Sequence, residues 1–212
     1  VLLVAGCGAE SPKGAQTPTW ADTDVTFDAD GLTIHGTYRH QDVAGPAALL
    51  ISESGPTDRN GDNKVVGPVG NMRQLAETLS DNGVASLRYD KIGTGATKLG
   101  PYEKKPDQVV SGVYTSGAVA ALRFLAGRPD TDAAKLSIYA VGEGAVHAMT
   151  LGGGGDPKVH SLALFQPLSG RYLDIITNRV RSGAAPEVLT AWLGAVDEIR
   201  TKAPCPPTSP RA

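Results

Sequence analysis

Apolar and polar residues alternate along Asp24–Asp28 and again along Leu32–Arg39, on either side of Asp30-Gly31. A period of two about an Asp-Gly pair predicts a β-hairpin. Ala47–Ser52 is a continuous apolar run, as in a strand buried on both faces. Met72, Leu75, Ala76 and Leu79 fall at helical spacing within Asn71–Asp81, and Asn82-Gly83 supplies a stop. Val84–Tyr89 reads as the next strand. Ser111–Ala126 reads as a helix with Ala118, Leu122 and Leu125 on one face. Then come a strand over Leu136–Val141, a short helix over Gly144–Leu151, a glycine loop over Gly152–Gly155 and a strand over Val159–Phe165. Helical stretches follow at Tyr172–Arg181 and Pro186–Thr201, the second with an apolar stripe of Leu189, Trp192, Leu193, Val196 and Ile199. Two antiparallel strands followed by alternating strands and helices predict an α/β fold with a mostly parallel, helix-covered sheet.

The length of 212 residues suits one domain, and 41% apolar residues permit a core built mostly from Ala, Val and Leu. The net charge of −2 gives nucleic acid no basic surface to bind. Cys7 and Cys205, the two cysteines, lie at opposite ends and make no disulfide framework. Val1–Cys7 reads as the end of a signal peptide with a lipobox, so Cys7 is expected to carry lipid. Residues 8–22, rich in small and polar types, would be a flexible tether to a bacterial membrane. The expected core is 23–170, with a helical cap over 171–201. Residues 202–212 form a proline-rich tail expected to be disordered.

Three loops each follow a strand, where sheets of this kind bind ligands. They are Ser52–Gly61, Tyr89–Thr97 and the turn at Ala140-Val141-Gly142-Glu143-Gly144. The last has the form of a nucleophile elbow, G-x-S-x-G, with Ala140 and Gly144 as the small flankers and Gly142 where the serine belongs. Other motifs fit less well. Gly142–His147 lacks the third glycine of a dinucleotide fingerprint. Asp58–Asn63 lacks the glycine and closing Glu of a calcium loop, with Val69 at the closing position. Gly152–Gly155 lacks the lysine of a phosphate loop. No cofactor and no metal are expected.

Together the loops resemble the α/β-hydrolase superfamily, close to lipoprotein hydrolases of the serine esterase and aminopeptidase type. Ser54-Gly55-Pro56-Thr57-Asp58-Arg59 matches that family's S-G-P-x-D-R loop after strand three. Asp90–Thr97 matches its D-x-x-G-x-G-x-[ST] turn after strand four, whose glycines are read as shaping the turn. The resemblance covers Val25 to Thr201. It implies that Ser54 and Gly55 border an oxyanion hole, with the Glu143 amide as its second donor. It also implies a triad acid and histidine on loops after two further strands, which this sequence does not reach. His35, His40, His147 and His160 are read as other than triad members, the last two as helix or strand packing.

Glycine adopts the strained elbow backbone at little cost, so loss of the serine is expected to spare the turn and abolish the chemistry. The expected protein is therefore an envelope lipoprotein of serine ester or peptide hydrolase ancestry, inactive as written. The last strands would be missing, leaving Val159–Phe165 as a bare sheet edge. The alternatives are a non-catalytic binder of a small ester, acyl or peptide ligand, and a truncated remnant.

Overall fold

In the computed structural model, residues 19–202 are described. The opening hairpin forms as expected. β1 (Ala21–Ala29) pairs antiparallel with β2 (Leu32–His40) in unbroken register from Ala21–His40 to Ala29–Leu32. Its turn holds Asp30 at φ 54° and Gly31 at φ 83°, and the Asp28 carboxylate accepts from the Gly31 N–H at 3.2 Å. Positive φ at both central residues gives the turn the twist of the strands it joins.

Four parallel strands follow: β3 (Gly45–Ile51), β4 (Ala85–Tyr89), β5 (Thr131–Val141) and β6 (Ser161–Phe165). The sheet order is β1-β2-β4-β3-β5-β6, with β2 antiparallel to β4. β3 therefore lies inside the sheet, and its apolar residues divide by parity. Ala48 and Leu50 pack with Met72, Ala76 and Leu79 of α1 (Asn71–Asp81) on one face. Ala47, Leu49 and Ile51 share the larger core on the other face with Ala118, Leu122 and Leu125 of α2 (Ser111–Ala126). Ala148 and Leu151 of α3 (Gly144–Gly152) complete that layer. Each fully buried Leu or Ile stabilises by about 1.5–3 kcal/mol before chain entropy opposes it.

Some boundaries move. β1 takes Ala21 and Asp22 from the stretch read as a tether, because Asp22 is held by Arg88 at 2.9 Å and Arg39 at 3.3 Å. β5 begins five residues earlier than the apolar run suggests, since its exposed start, Asp132–Lys135, carries no apolar signal. β6 is shorter by two. Among the described residues it pairs with β5 alone, and Leu162 and Phe165 are exposed.

α4 (Tyr172–Gly183) and α5 (Pro186–Lys202) form a helical hairpin packed chiefly on itself. Trp192 Nε1 donates to Thr177 Oγ1 at 3.0 Å, and Val196 is buried. Ile199, also on the expected stripe, is exposed, and Lys202 belongs to the helix, not to the tail. Cys7, the tether up to residue 18 and the tail from 203 lie outside the described residues.

Candidate functional site

The elbow is a strand–turn–helix. β5 ends at Val141, Gly142 takes φ 56°, and α3 begins at Gly144. The Gly142 N–H donates to the Phe165 carbonyl at 3.0 Å, which ties the turn to the end of β6. A positive φ is what an elbow nucleophile must tolerate, and glycine tolerates it freely. A Cβ on Gly142 would stand 3.4 Å from the Glu53 Cβ, an ordinary contact, so the position has room for a side chain. Gly144 has no such room. A Cβ there would lie 2.8 Å from the backbone carbonyls of both Ile51 and Ser52. The second small residue of the motif is thus required by the close approach of α3 to β3.

The two other loops are bound to each other. The buried Asp90 carboxylate accepts from the Arg59 N–H and the Ala96 N–H, each at 2.8 Å, and faces Arg59 Nε at 3.5 Å. Arg88 Nε donates to Asn60 Oδ1 at 3.1 Å. The aspartate of the D-x-x-G-x-G turn and the Asp-Arg of the S-G-P-x-D-R loop are therefore one clamp, in line with a shaping role for the turn. Asp58 folds its own loop, accepting from the N–H groups of Asn60 and Asp62 at 2.8 and 3.0 Å.

Ser54, Gly55, Glu143 and Gly144 border one pocket of about 190 Å³, so the structure brings together the residues singled out after β3 and at the elbow. Gly142 itself stands against Glu53 and is not among the residues that line this pocket. The Ser54 and Gly55 carbonyls are turned away, accepting from the Thr57 hydroxyl at 3.0 Å and the Thr57 N–H at 2.8 Å. Among the described residues nothing accepts from the N–H groups of Ser54, Gly55 or Glu143. Free amides bordering a pocket can stabilise an oxygen that gains negative charge. The N-terminus of α3 adds a favourable dipole.

Lys91, Tyr114, His147 and Tyr172 also line this pocket. His147 packs in the helix layer as expected, buried, but it reaches the pocket as well. Its Nδ1 shares a hydrogen bond with Thr115 Oγ1 at 2.9 Å. Burial lowers its pKa, Glu143 opposes that shift, and Lys91 adds to it. Lys91 is also buried, and its Nζ donates to the carbonyls of Ser52, at 3.4 Å, and Glu53. Burial pulls the Lys91 pKa down to about 8, against the pull of Glu143 and Glu53. Burial, with Glu143 nearby, raises the Tyr114 hydroxyl. The sequence reading gave Lys91 no role. Its signal was its place two residues past a buried strand, where side chains turn toward the loops. Tyr172 meets the pocket as the first residue of the helical hairpin.

No protein-family profile and no curated protein matches the chain. Solved structures do. A dienelactone hydrolase-like promiscuous phosphotriesterase from metagenomic libraries aligns at 17% identity and TM-score 0.52, over 70% of this chain and 59% of that one. A dienelactone hydrolase from Anabaena variabilis aligns at 18% and 0.54, over 68% and 62%. A hypothetical protein from Pseudomonas aeruginosa aligns at 15% and 0.61, over 93% and 59%. The chain spans about three fifths of the length of these three proteins. At such low identity the likeness speaks to architecture, and together with the strand order and the elbow it shows that this chain has the fold of the α/β-hydrolase superfamily.

Proposed function

We propose that the chain is an α/β-hydrolase-like protein of serine ester or peptide hydrolase ancestry that does not turn over substrate and keeps the acyl-facing part of the pocket. The observation that carries this reading is Gly142. It holds the backbone form of an elbow nucleophile, with space for a side chain and no oxygen to attack with. Acyl transfer through an elbow serine requires that oxygen. The free amides of Ser54, Gly55 and Glu143 support retained affinity for a carbonyl or carboxylate oxygen.

The expected ligand is a small ester, acyl or peptide group. Nuclear magnetic resonance on the unaltered chain tests this with a short acyl ester or an acylated dipeptide. The expected result is saturable shifts at the Ser54, Gly55 and Glu143 amides. Titration to millimolar ligand without movement of those amides contradicts a retained pocket.

The lipobox-like run ending at Cys7 supports anchoring to the outer face of a bacterial membrane. Cys7→Ala is expected to release the protein from the membrane fraction. Unchanged membrane association would refute lipidation at Cys7.

A further inference from the structure

Lys91 is the buried nucleophilic group that the hydrolase reading leaves without a task. Its Nζ lines the pocket and donates to two backbone carbonyls, those of Ser52 and Glu53. Among the described residues it forms no ion pair within 4 Å. An ammonium has three N–H bonds and a neutral amine has two. The two carbonyls satisfy the neutral form completely, and the remaining tetrahedral position is left for a proton or a lone pair. Tyr114, Glu143, His147 and Tyr172 are the other titratable groups lining that space, and the charge of Glu53 also acts on Lys91.

We propose that Lys91 is a covalent capture site for small aldehydes and ketones, forming an imine inside the pocket. The Lys91 lone pair adds to the carbonyl carbon, and the C–O π pair moves to oxygen. A proton passes from nitrogen to oxygen to give the carbinolamine. Water then leaves as the C=N bond forms, so aldehyde and amine give imine and one water. Glu143 lines the same pocket, and a water relayed from its carboxylate carries the proton between nitrogen and the departing oxygen. The free amides of Ser54, Gly55 and Glu143 receive the oxygen while it is negative. A pocket of about 190 Å³ admits a carbonyl compound of a few carbons and excludes large ones.

Burial makes the chemistry available near neutral pH. With its pKa brought down to about 8, roughly a tenth of Lys91 is neutral at pH 7, against well under a thousandth of an ordinary lysine. This inference does not rest on loss of turnover at Gly142, and its test uses the unaltered chain.

The experiment is reductive trapping with butyraldehyde and cyanoborohydride at pH 7, with peptide mapping over time. Cyanoborohydride reduces the imine to a stable secondary amine. Lys91 is expected to be alkylated about tenfold faster than the exposed Lys135 and Lys202, after the advantage in neutral amine is reduced by restricted access. The rate at Lys91 should level off above pH 8 while the surface sites continue to rise. Lys91→Met should remove the fast product and leave surface labelling unchanged. Labelling of Lys91 at or below the rate of Lys135 overturns the proposal, and this comparison holds whether or not the variant folds.

Discussion

Lys91 Nζ donates to the backbone carbonyl of Glu53, joining the loop after β4 to the loop after β3 at the wall of the pocket. The same two loops are joined a second time by Asp90 and Arg59. The pocket is thus shaped by contacts between loops, while the sheet fixes where each loop starts. The consequences of these contacts can be measured.

The Lys91 contact predicts an alkaline rise in stability. The folded pKa is about 8 and the ordinary value is 10.5. Below pH 8 both states hold the proton and the slope is zero. Between pH 8 and 10.5 the unfolded chain holds more protons, so stability increases with pH, by at most about 3 kcal/mol. The buried Tyr38 and Tyr89 act oppositely. Burial raises Tyr38 to about 12 and pushes Tyr89 higher still, so above pH 10 the unfolded chain loses protons first and stability falls. Urea unfolding across pH 7 to 11 is expected to show a maximum near pH 10. Lys91→Met should lack the rise, and a flat profile in the unaltered chain would contradict the buried lysine.

At acid pH stability again rises with pH. His147 has its pKa lowered by burial, so the unfolded state binds the proton first and stability falls as pH drops through about 6.5. Asp22 is also lowered: Arg88 and Arg39 outweigh the opposing effect of burial, the largest single contribution. A second loss follows as pH falls below about 4. Thermal unfolding of His147→Gln should lack the first step and keep the second.

The elbow glycines should differ in tolerance. Gly142→Ser places a side chain at φ 56° in ordinary contact with Glu53, at a cost of about 1 kcal/mol, or roughly 2–4 °C in Tm. Gly144→Ala drives a Cβ against the backbone carbonyls of Ile51 and Ser52 at the end of β3, which must then separate from α3. It should destabilise by more than 2 kcal/mol, within the usual range for overpacking. Calorimetry of the two variants checks the order.

Asp90→Ala leaves the Arg59 and Ala96 N–H groups without their acceptor, and the Arg59 guanidinium with Asp24 alone. Losing one partner of a buried pair costs about 3 kcal/mol or more. Denaturant unfolding should show a loss comparable to that of Leu49→Ala, a core truncation of about 2–5 kcal/mol. Exchange of the Ala96 amide should also accelerate in Asp90→Ala and stay slow in Leu49→Ala.

The sheet was legible because its strands are short apolar runs separated by glycine or Asp-Gly, and the elbow because only small residues fit beside its turn. Hydrophobicity predicted Leu136 as the start of β5, while the strand begins at Thr131, where backbone pairing with Gly45 needs no apolar side chain. The part of the site lined by Ser54, Gly55 and Glu143 was implied by the resemblance of these loops to a known family. Lys91, Tyr114 and His147 did not, because they converge from the loop after β4, from α2 and from α3, and convergence leaves no pattern along the chain.

The central claim is that the elbow is built and its nucleophile is absent. Steady-state hydrolysis of p-nitrophenyl acetate by the unaltered chain tests it most directly, with and without prior treatment by a fluorophosphonate. The account predicts at most one equivalent of p-nitrophenol released above the uncatalysed rate, and no effect of the fluorophosphonate. Many turnovers per chain, abolished by fluorophosphonate treatment, would contradict it.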